Sequence, residues 1–304
     1  MNGWTLAKVF EINGRLVVAD SLEQAIETYR LWAPNVEITE ISQKYAGQYD
    51  KQYNALIAEP AERSCNLNGW ELTHITFTGV DDETDFKRLV SIQQRYPKVE
   101  FGVLVSRKWF ENGKRYLSPF KARELRGLGL RLSAHLCGSI ARDALKEGGF
   151  SSTDDFPDII DVFSRVQLNV SNYDELESLN PYFLPGHLQE IIIQQACFHN
   201  VFMLCRIASG EYVSILLDES GGKGIDTPIN MPLYLHNVHV GFAGGINPDN
   251  VVAKLREITS LPQVGRFWID MESGVRTNDH FDLDKVEQIC QLVYDNFLNV
   301  KIER

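Results

Sequence analysis

Three short apolar runs in the last third of the chain each end in small or acidic residues. Val213-Ser214-Ile215-Leu216-Leu217 runs into Asp218 and then Gly221-Gly222-Lys223-Gly224. Val240-Gly241-Phe242-Ala243 runs into Gly244-Gly245-Ile246-Asn247-Pro248, and Trp268-Ile269-Asp270-Met271 runs into Glu272-Ser273-Gly274-Val275. The last two lead into helix-like segments. This is the pattern of the final strands of a (β/α)8 barrel, where chemistry and phosphate-binding loops sit at the strand C-termini.

The rest of the chain extends the pattern. From Leu72 onward strands alternate with helices, as in an α/β fold with a parallel sheet. The spacing predicts strands at 73–78, 99–105, 130–136, 164–169, 201–207, 213–218, 238–243 and 267–271. Helices are expected at 83–95, 119–128, 139–147, 188–198, 248–258 and 283–297. The fifth and sixth of these strands stand only about five residues apart, whereas a parallel crossover usually needs about a dozen. Either one helix is reduced to a loop or a strand is misplaced. Ahead of the barrel, residues 4–42 read as a small ββαβ-like α+β unit. Two alternating runs flank Asn13-Gly14, a hairpin turn signal, Ser21-Leu22-Glu23-Gln24 is a capping box, and Val36–Ile41 alternates again. Residues 43–70 read as a linker, which divides the chain into 1–70 and 71–304.

Composition narrows the function. The 304 residues suit one barrel of roughly 250 residues with a small extra unit. A hydrophobic content of 44% allows a sizeable core. The net charge of −11 argues against nucleic acid as the main partner. No apolar run approaches the roughly 18 residues of a membrane span, and the N-terminus lacks an apolar leader core. The five cysteines form no C-x-x-C pair, so neither a zinc site nor a disulfide framework is expected, and a reducing cytoplasm fits. No cofactor and no metal are expected. Self-association is left open.

Strand parity separates the side chains that face the barrel interior from those that face the helices. It turns Thr76, Thr78, Glu100, Leu104, Ser133, His135, Cys137, Gln167 and Asn169 inward. Arg206, Leu216, Asp218, His239, Gly241, Asp270 and Glu272 follow. A purely structural barrel favours branched aliphatics there, so acids, an arginine, a histidine and amides point to a site. Asp218, at a strand end before a glycine-rich loop, is the leading candidate. Glu100, near the bottom of its strand, reads as structural. Gly244 and Gly245 allow close backbone approach to a ligand, Pro248 opens the next helix, and Ser273 and Gly274 follow the last strand. Backbone N–H groups and a helix dipole at that place bind phosphate.

These residues together resemble phosphoribosylanthranilate isomerase. The likeness lies in Asp218 with its glycine-rich loop, in Gly244-Gly245-Ile246-Asn247-Pro248 and in Asp270-Met271-Glu272-Ser273-Gly274-Val275. Val166-Gln167-Leu168-Asn169-Val170 and Lys114-Arg115-Tyr116-Leu117-Ser118 add to it. The resemblance implies isomerisation of a small phosphorylated sugar-type compound. It makes Asp218 the acid and places Arg115 near a substrate carboxylate; Arg206 and Asp270, turned inward by parity, are added as substrate-binding candidates. Gly222, Gly244, Gly245, Ser273 and Gly274 would then hold phosphate. One departure stands out: the family's base cysteine on the first strand is replaced by Thr78. An unassisted hydroxyl is a poor base at neutral pH, which leaves His135 or Thr78 as the partner of Asp218. Two other readings compete. One is a barrel without catalysis that binds a phosphorylated ligand or a protein. The other is a metal-dependent epimerase or lyase built on His135, Asp218, His239 and Asp270. A Schiff-base aldolase would need an inward lysine on a strand, and the sequence offers none.

Overall fold

The computed structural model describes residues 8–12, 15–19, 26, 30, 38, 41–44, 67–107, 114–141, 162–169, 190–195, 213–218, 220, 224–229, 231, 238–262 and 265–298. The chain forms two compact units, Met1–Arg63 and Ser64–Arg304. The first contains a three-stranded antiparallel sheet of β1 (Lys8–Ile12), β2 (Arg15–Ala19) and β3 (Ile41–Lys44), in the order β2-β1-β3. Pairing of Ile12 with Arg15 closes the expected hairpin. Ile26 and Arg30 are helical, as the capping box implies. The third strand begins where the expected one ended. The turn residues Asn13 and Gly14 lie outside the described residues, as do residues 45–66 of the expected linker at 43–70, whose first two residues belong to β3.

The second unit is a closed barrel of eight parallel strands. They are β4 (Glu71–Thr78), β5 (Val99–Val105), β6 (Leu132–Cys137), β7 (Arg165–Asn169), β8 (Glu190–Gln195), β9 (Val213–Leu217), β10 (Val240–Phe242) and β11 (Arg266–Met271). Each pairs with its neighbours in sequence, and β11 pairs with β4 to close the ring. Helices α1 (Phe86–Arg95), α2 (Pro119–Glu124), α3 (Val251–Thr259) and α4 (Leu283–Val293) lie between or after strands. Asp85 caps α1 by accepting from the N–H groups of Lys87 and Arg88, so that helix starts at Phe86 rather than Glu83. Asp282 caps α4 in the same way. Side chains of Asn247 and Asn250 accept backbone hydrogen bonds across residues 247–250, which delays α3 past Pro248. The main core fills the space between strands and helices. Leu132, Ala134 and Leu136 of β6 are buried in it, as are Leu255 and Ile258 of α3 and Val286 and Ile289 of α4. Trp70 packs edge-on against Phe242 and Phe267.

The fifth barrel strand corrects the sequence reading. It is Glu190–Gln195, inside the segment expected to be helix at 188–198. The three consecutive β-branched residues Ile191, Ile192 and Ile193 suit a strand buried on both faces. With the strand there, residues 196–212 are long enough for a parallel crossover to β9. The expected strand at 201–207, and Arg206 with it, lies outside the described residues.

Candidate active site

Inward-facing side chains divide the barrel interior into three zones. In the middle, Ile192, Leu216 and Trp268 form a small apolar layer. Toward the N-terminal ends of the strands lies a buried ionic network. Arg165, 1% exposed, donates to Glu100 at 2.8 Å and to Glu190 at 2.5 Å, and its guanidinium lies 4.5 Å from the Trp268 ring centre. Glu190 also meets His239, whose other ring nitrogen lies 2.7 Å from Thr73 Oγ1. Burial alone would raise the Glu190 carboxyl, but Arg165 and His239 outweigh it and hold it at about 2. His239, offered by sequence as a metal ligand with Asp218, is therefore committed to this opposite end. Among the described residues, no group of three or more His, Cys, Asp or Glu is arranged to hold a metal.

The third zone is the C-terminal mouth. Thr78, the last residue of β4, donates its hydroxyl hydrogen to Asp270 Oδ1 at 2.8 Å. His135 Nε2 lies 3.4 Å from Thr78 Oγ1, 3.2 Å from Ser133 Oγ and 3.9 Å from Asp270 Oδ2. Gly102 makes room for this cluster, because a Cβ there would collide with Thr78 Oγ1 and His135 Nε2. Burial lowers the His135 imidazole to about 4, so it is neutral at physiological pH. Burial raises the Asp270 carboxyl to about 8, against the lowering effect of the Thr78 hydrogen bond. Cys137 accepts from Asn169, and burial pushes its thiol up to about 11, so it is not a ready nucleophile.

Asp218 follows β9 at the same mouth. Its carboxylate accepts from Gln194 Nε2 at 2.9 Å, and from the Ser220 N–H at 3.1 Å and hydroxyl at 2.6 Å. The loops after β9, β10 and β11 then interlock. Gly224 abuts Ser273, whose hydroxyl would collide with a Cβ there. Gly245, at φ 64°, lies against the Asp226 backbone, and Gly274 lies under the Ile246 carbonyl with no room for a side chain. Asp226 is pinned by Lys254 of α3 at 2.7 Å and by Asn250 at 3.1 Å. Among the described residues, the N–H groups of Gly245, Ser273 and Gly274 meet no acceptor.

The sequence-derived candidates thus meet at one mouth: Thr78, His135 and Asp270 in direct contact, Asp218 beside Gly244, and Ser273 beside Gly224. Gly222 lies outside the described residues. Arg115 reaches the same end, but its two faces are occupied by Glu272 at 3.0 Å and Asp279 at 2.9 Å. Gln194, Glu190 and Arg165 are not singled out by the sequence. Gln194 and Glu190 lie in the segment that reads as helix. Arg165 shares the inward parity of Gln167, and extending that rule one step would find it.

Residues 165–292, from β7 into α4, match the family model described as N-(5'phosphoribosyl)anthranilate (PRA) isomerase. Among solved structures, the N-(5'-phosphoribosyl)anthranilate isomerase from Pyrococcus furiosus is 15% identical, over 73% of this chain and 99% of that one, with a TM-score of 0.45. A truncated 3-deoxy-D-arabino-heptulosonate 7-phosphate synthase from Thermotoga maritima is 13% identical, over 75% and 87%, with a TM-score of 0.43. Phospho-2-dehydro-3-deoxyheptonate aldolase from Thermotoga maritima is 11% identical, over 95% and 96%, also at 0.43. With its closed parallel barrel and the family match over β7 to α4, the protein is a phosphoribosylanthranilate isomerase-like (β/α)8 barrel.

Proposed function

We propose that the C-terminal mouth of this barrel binds a small phosphorylated sugar-type compound and isomerises it by acid–base chemistry. The observation that carries the reading is the meeting of Asp218 and the Thr78–Asp270–His135 cluster at one mouth with loops offering backbone N–H groups. Such isomerisation needs one group to give a proton and another to take one from carbon. Two buried aspartates, one after β9 and one on β11, meet that need without a cysteine. The N–H groups of Gly245, Ser273 and Gly274 suit a phosphate dianion, as at many barrel mouths. The family match over the second half of the barrel supports the same substrate class.

Two measurements test this reading. Ribose 5-phosphate should raise the melting temperature of the wild type. Substituting exposed Ser273→Asp, which sets a negative charge beside the phosphate, should abolish that rise. Purified protein should also turn over N-(5'-phosphoribosyl)anthranilate or another phosphorylated glycosylamine, with the activity lost in Asp218→Asn. Absence of any thermal response to ribose 5-phosphate would sink the reading.

A further inference from the structure

We propose that Glu272 and Asp279 are specificity-determining residues: by occupying Arg115 they direct the mouth to a sugar phosphate whose far end bears no carboxylate. The inference rests on the reading of the mouth as a sugar-phosphate site and narrows it to a substrate class. Arg115 stands in the loop between β5 and α2. That loop is two strands round the barrel from β11, whose following loop, with the one after β10, offers N–H groups to phosphate. Arg115 and its two partners are partly exposed, so a ligand can reach all three. Arg115 Nη1 donates to Glu272 at 3.0 Å and Nε to Asp279 at 2.9 Å. A carboxylate is gripped by two adjacent guanidinium nitrogens. Nη2 keeps no such companion, because Nε and Nη1 are both engaged.

The occupation is built into the fold. Asp279 sits at the tip of a hairpin of β12 (Arg276–Thr277) and β13 (His280–Phe281). Both tip residues have positive φ, 54° at Asn278 and 67° at Asp279, the backbone of a two-residue type I′ turn that Asn and Asp tolerate. The hairpin is tied down. Arg276, 7% exposed, donates to the carbonyls of Gly79 and Lys114, each at 3.0 Å. The Phe281 N–H donates to Asp81 at 2.8 Å, and Lys285 of α4 donates to the Arg276 carbonyl at 2.5 Å. A Cβ at Gly79 would lie 3.0 Å from the Arg276 guanidinium, so glycine makes its seat. One guanidinium thus holds both members of the pair: its bond to Lys114 fixes the residue before Arg115, and its strand carries the turn that aims Asp279.

The rest of the wall agrees. Arg276 and Arg115 lie in electrostatic range of each other and of Glu272, Asp279 and Asp81, so two guanidiniums stand among three carboxyl groups. This rim has no net positive charge left for a ligand anion. Hydrogen-bonding capacity points the same way. Glu272 Oε2 accepts no hydrogen bond from a described residue. Gln167, 3% exposed and inward on β7, gives its Nε2 hydrogen to Asn169 at the strand end, while its buried Oε1 meets no donor among the described residues. Both unmet atoms are acceptors. A ligand hydroxyl or amine can satisfy them; a carboxylate, which only accepts, cannot. Glu272 also acts electrostatically on Asp270 and Cys137, so its influence extends across the mouth.

Two stable amines test this by calorimetry. They are made by reductive coupling of ribose 5-phosphate to aniline or to anthranilate, and they differ by one carboxylate. The wild type should bind the aniline compound about two- to five-fold tighter, the worth of an ion pair at a partly exposed site. Glu272→Gln combined with Asp279→Asn frees Arg115 and should reverse the order, and adding Arg115→Gln should cancel the reversal. The wild-type comparison needs no variant, so it decides the matter even if the double variant does not fold. Affinities within about two-fold of each other, or a preference for the anthranilate compound, overturn the proposal and leave the sugar-phosphate reading standing. Binding of ribose 5-phosphate with both amines refused does the same, as does a folded double variant that keeps the wild-type order. Failure of ribose 5-phosphate and of both amines to bind removes the reading and the proposal together.

Discussion

Replacing Asp270 by asparagine should make the protein more stable, and the gain should depend on pH. The substitution keeps shape and keeps an acceptor for the Thr78 hydroxyl. What it removes is a carboxyl whose ordinary value of 3.8 is raised to about 8 by burial. The folded state therefore holds a proton that the unfolded chain releases above pH 3.8. Below that value Asp270 costs nothing. Between 3.8 and about 8, wild-type stability falls by roughly 1.4 kcal/mol per pH unit from this group alone, and the loss levels off above 8. The upper bound on the gain from Asp270→Asn is about 4 kcal/mol at pH 7, and relaxation around the site brings the expected value to about 2–4 kcal/mol. Urea unfolding of wild type and variant from about pH 4 to 9 reads this directly. The two curves should converge at the acid end and separate as pH rises, with the variant always the more stable. A gap independent of pH, or a less stable variant at pH 7, would mean that Asp270 does not hold its proton in the folded state. A site residue that costs stability is the usual signature of function set against folding.

Other consequences follow from the same geometry. Glu272→Ser should release one of the two carboxylates on Arg115 and raise affinity for anthranilate, a carboxylate probe, about two- to five-fold, the worth of one partly exposed ion pair. Glu190→Gln should leave Arg165 buried with Glu100 alone and cost about 3–5 kcal/mol in urea unfolding. Because Glu190 is held at about 2 against an ordinary 4.5, its contribution is complete above pH 4.5 and lost as pH falls toward 2, so the variant should show a flatter acid limb. Gly274→Ala should force the loops after β10 and β11 apart, costing about 1–3 kcal/mol, with ribose 5-phosphate binding weakened in calorimetry.

Much of the barrel was legible because two periodicities carry it. Strands 99–105 and 213–217 stand out as apolar runs, and in Leu132–Cys137 the alternation that buries Leu132, Ala134 and Leu136 sends Ser133, His135 and Cys137 inward. The segment at 190–195 was not legible because Leu188–Phe198 also satisfies helical spacing, and short apolar runs do not separate the two. That error hid Gln194, which holds Asp218, and Glu190, which holds Arg165. The roles at the mouth were harder still. Thr78 looks like a defective base in sequence; the structure instead shows its hydroxyl donating to Asp270 at 2.8 Å. Asp270 looks like one carboxylate among several until burial and its neighbours fix its proton.

A crystal structure of the protein with ribose 5-phosphate would test the proposed site most directly. Phosphate is expected on the backbone N–H groups of Gly245, Ser273 and Gly274, with the sugar lying between Asp218 and Asp270. A ligand bound elsewhere, or a sugar out of reach of both aspartates, would contradict that assignment.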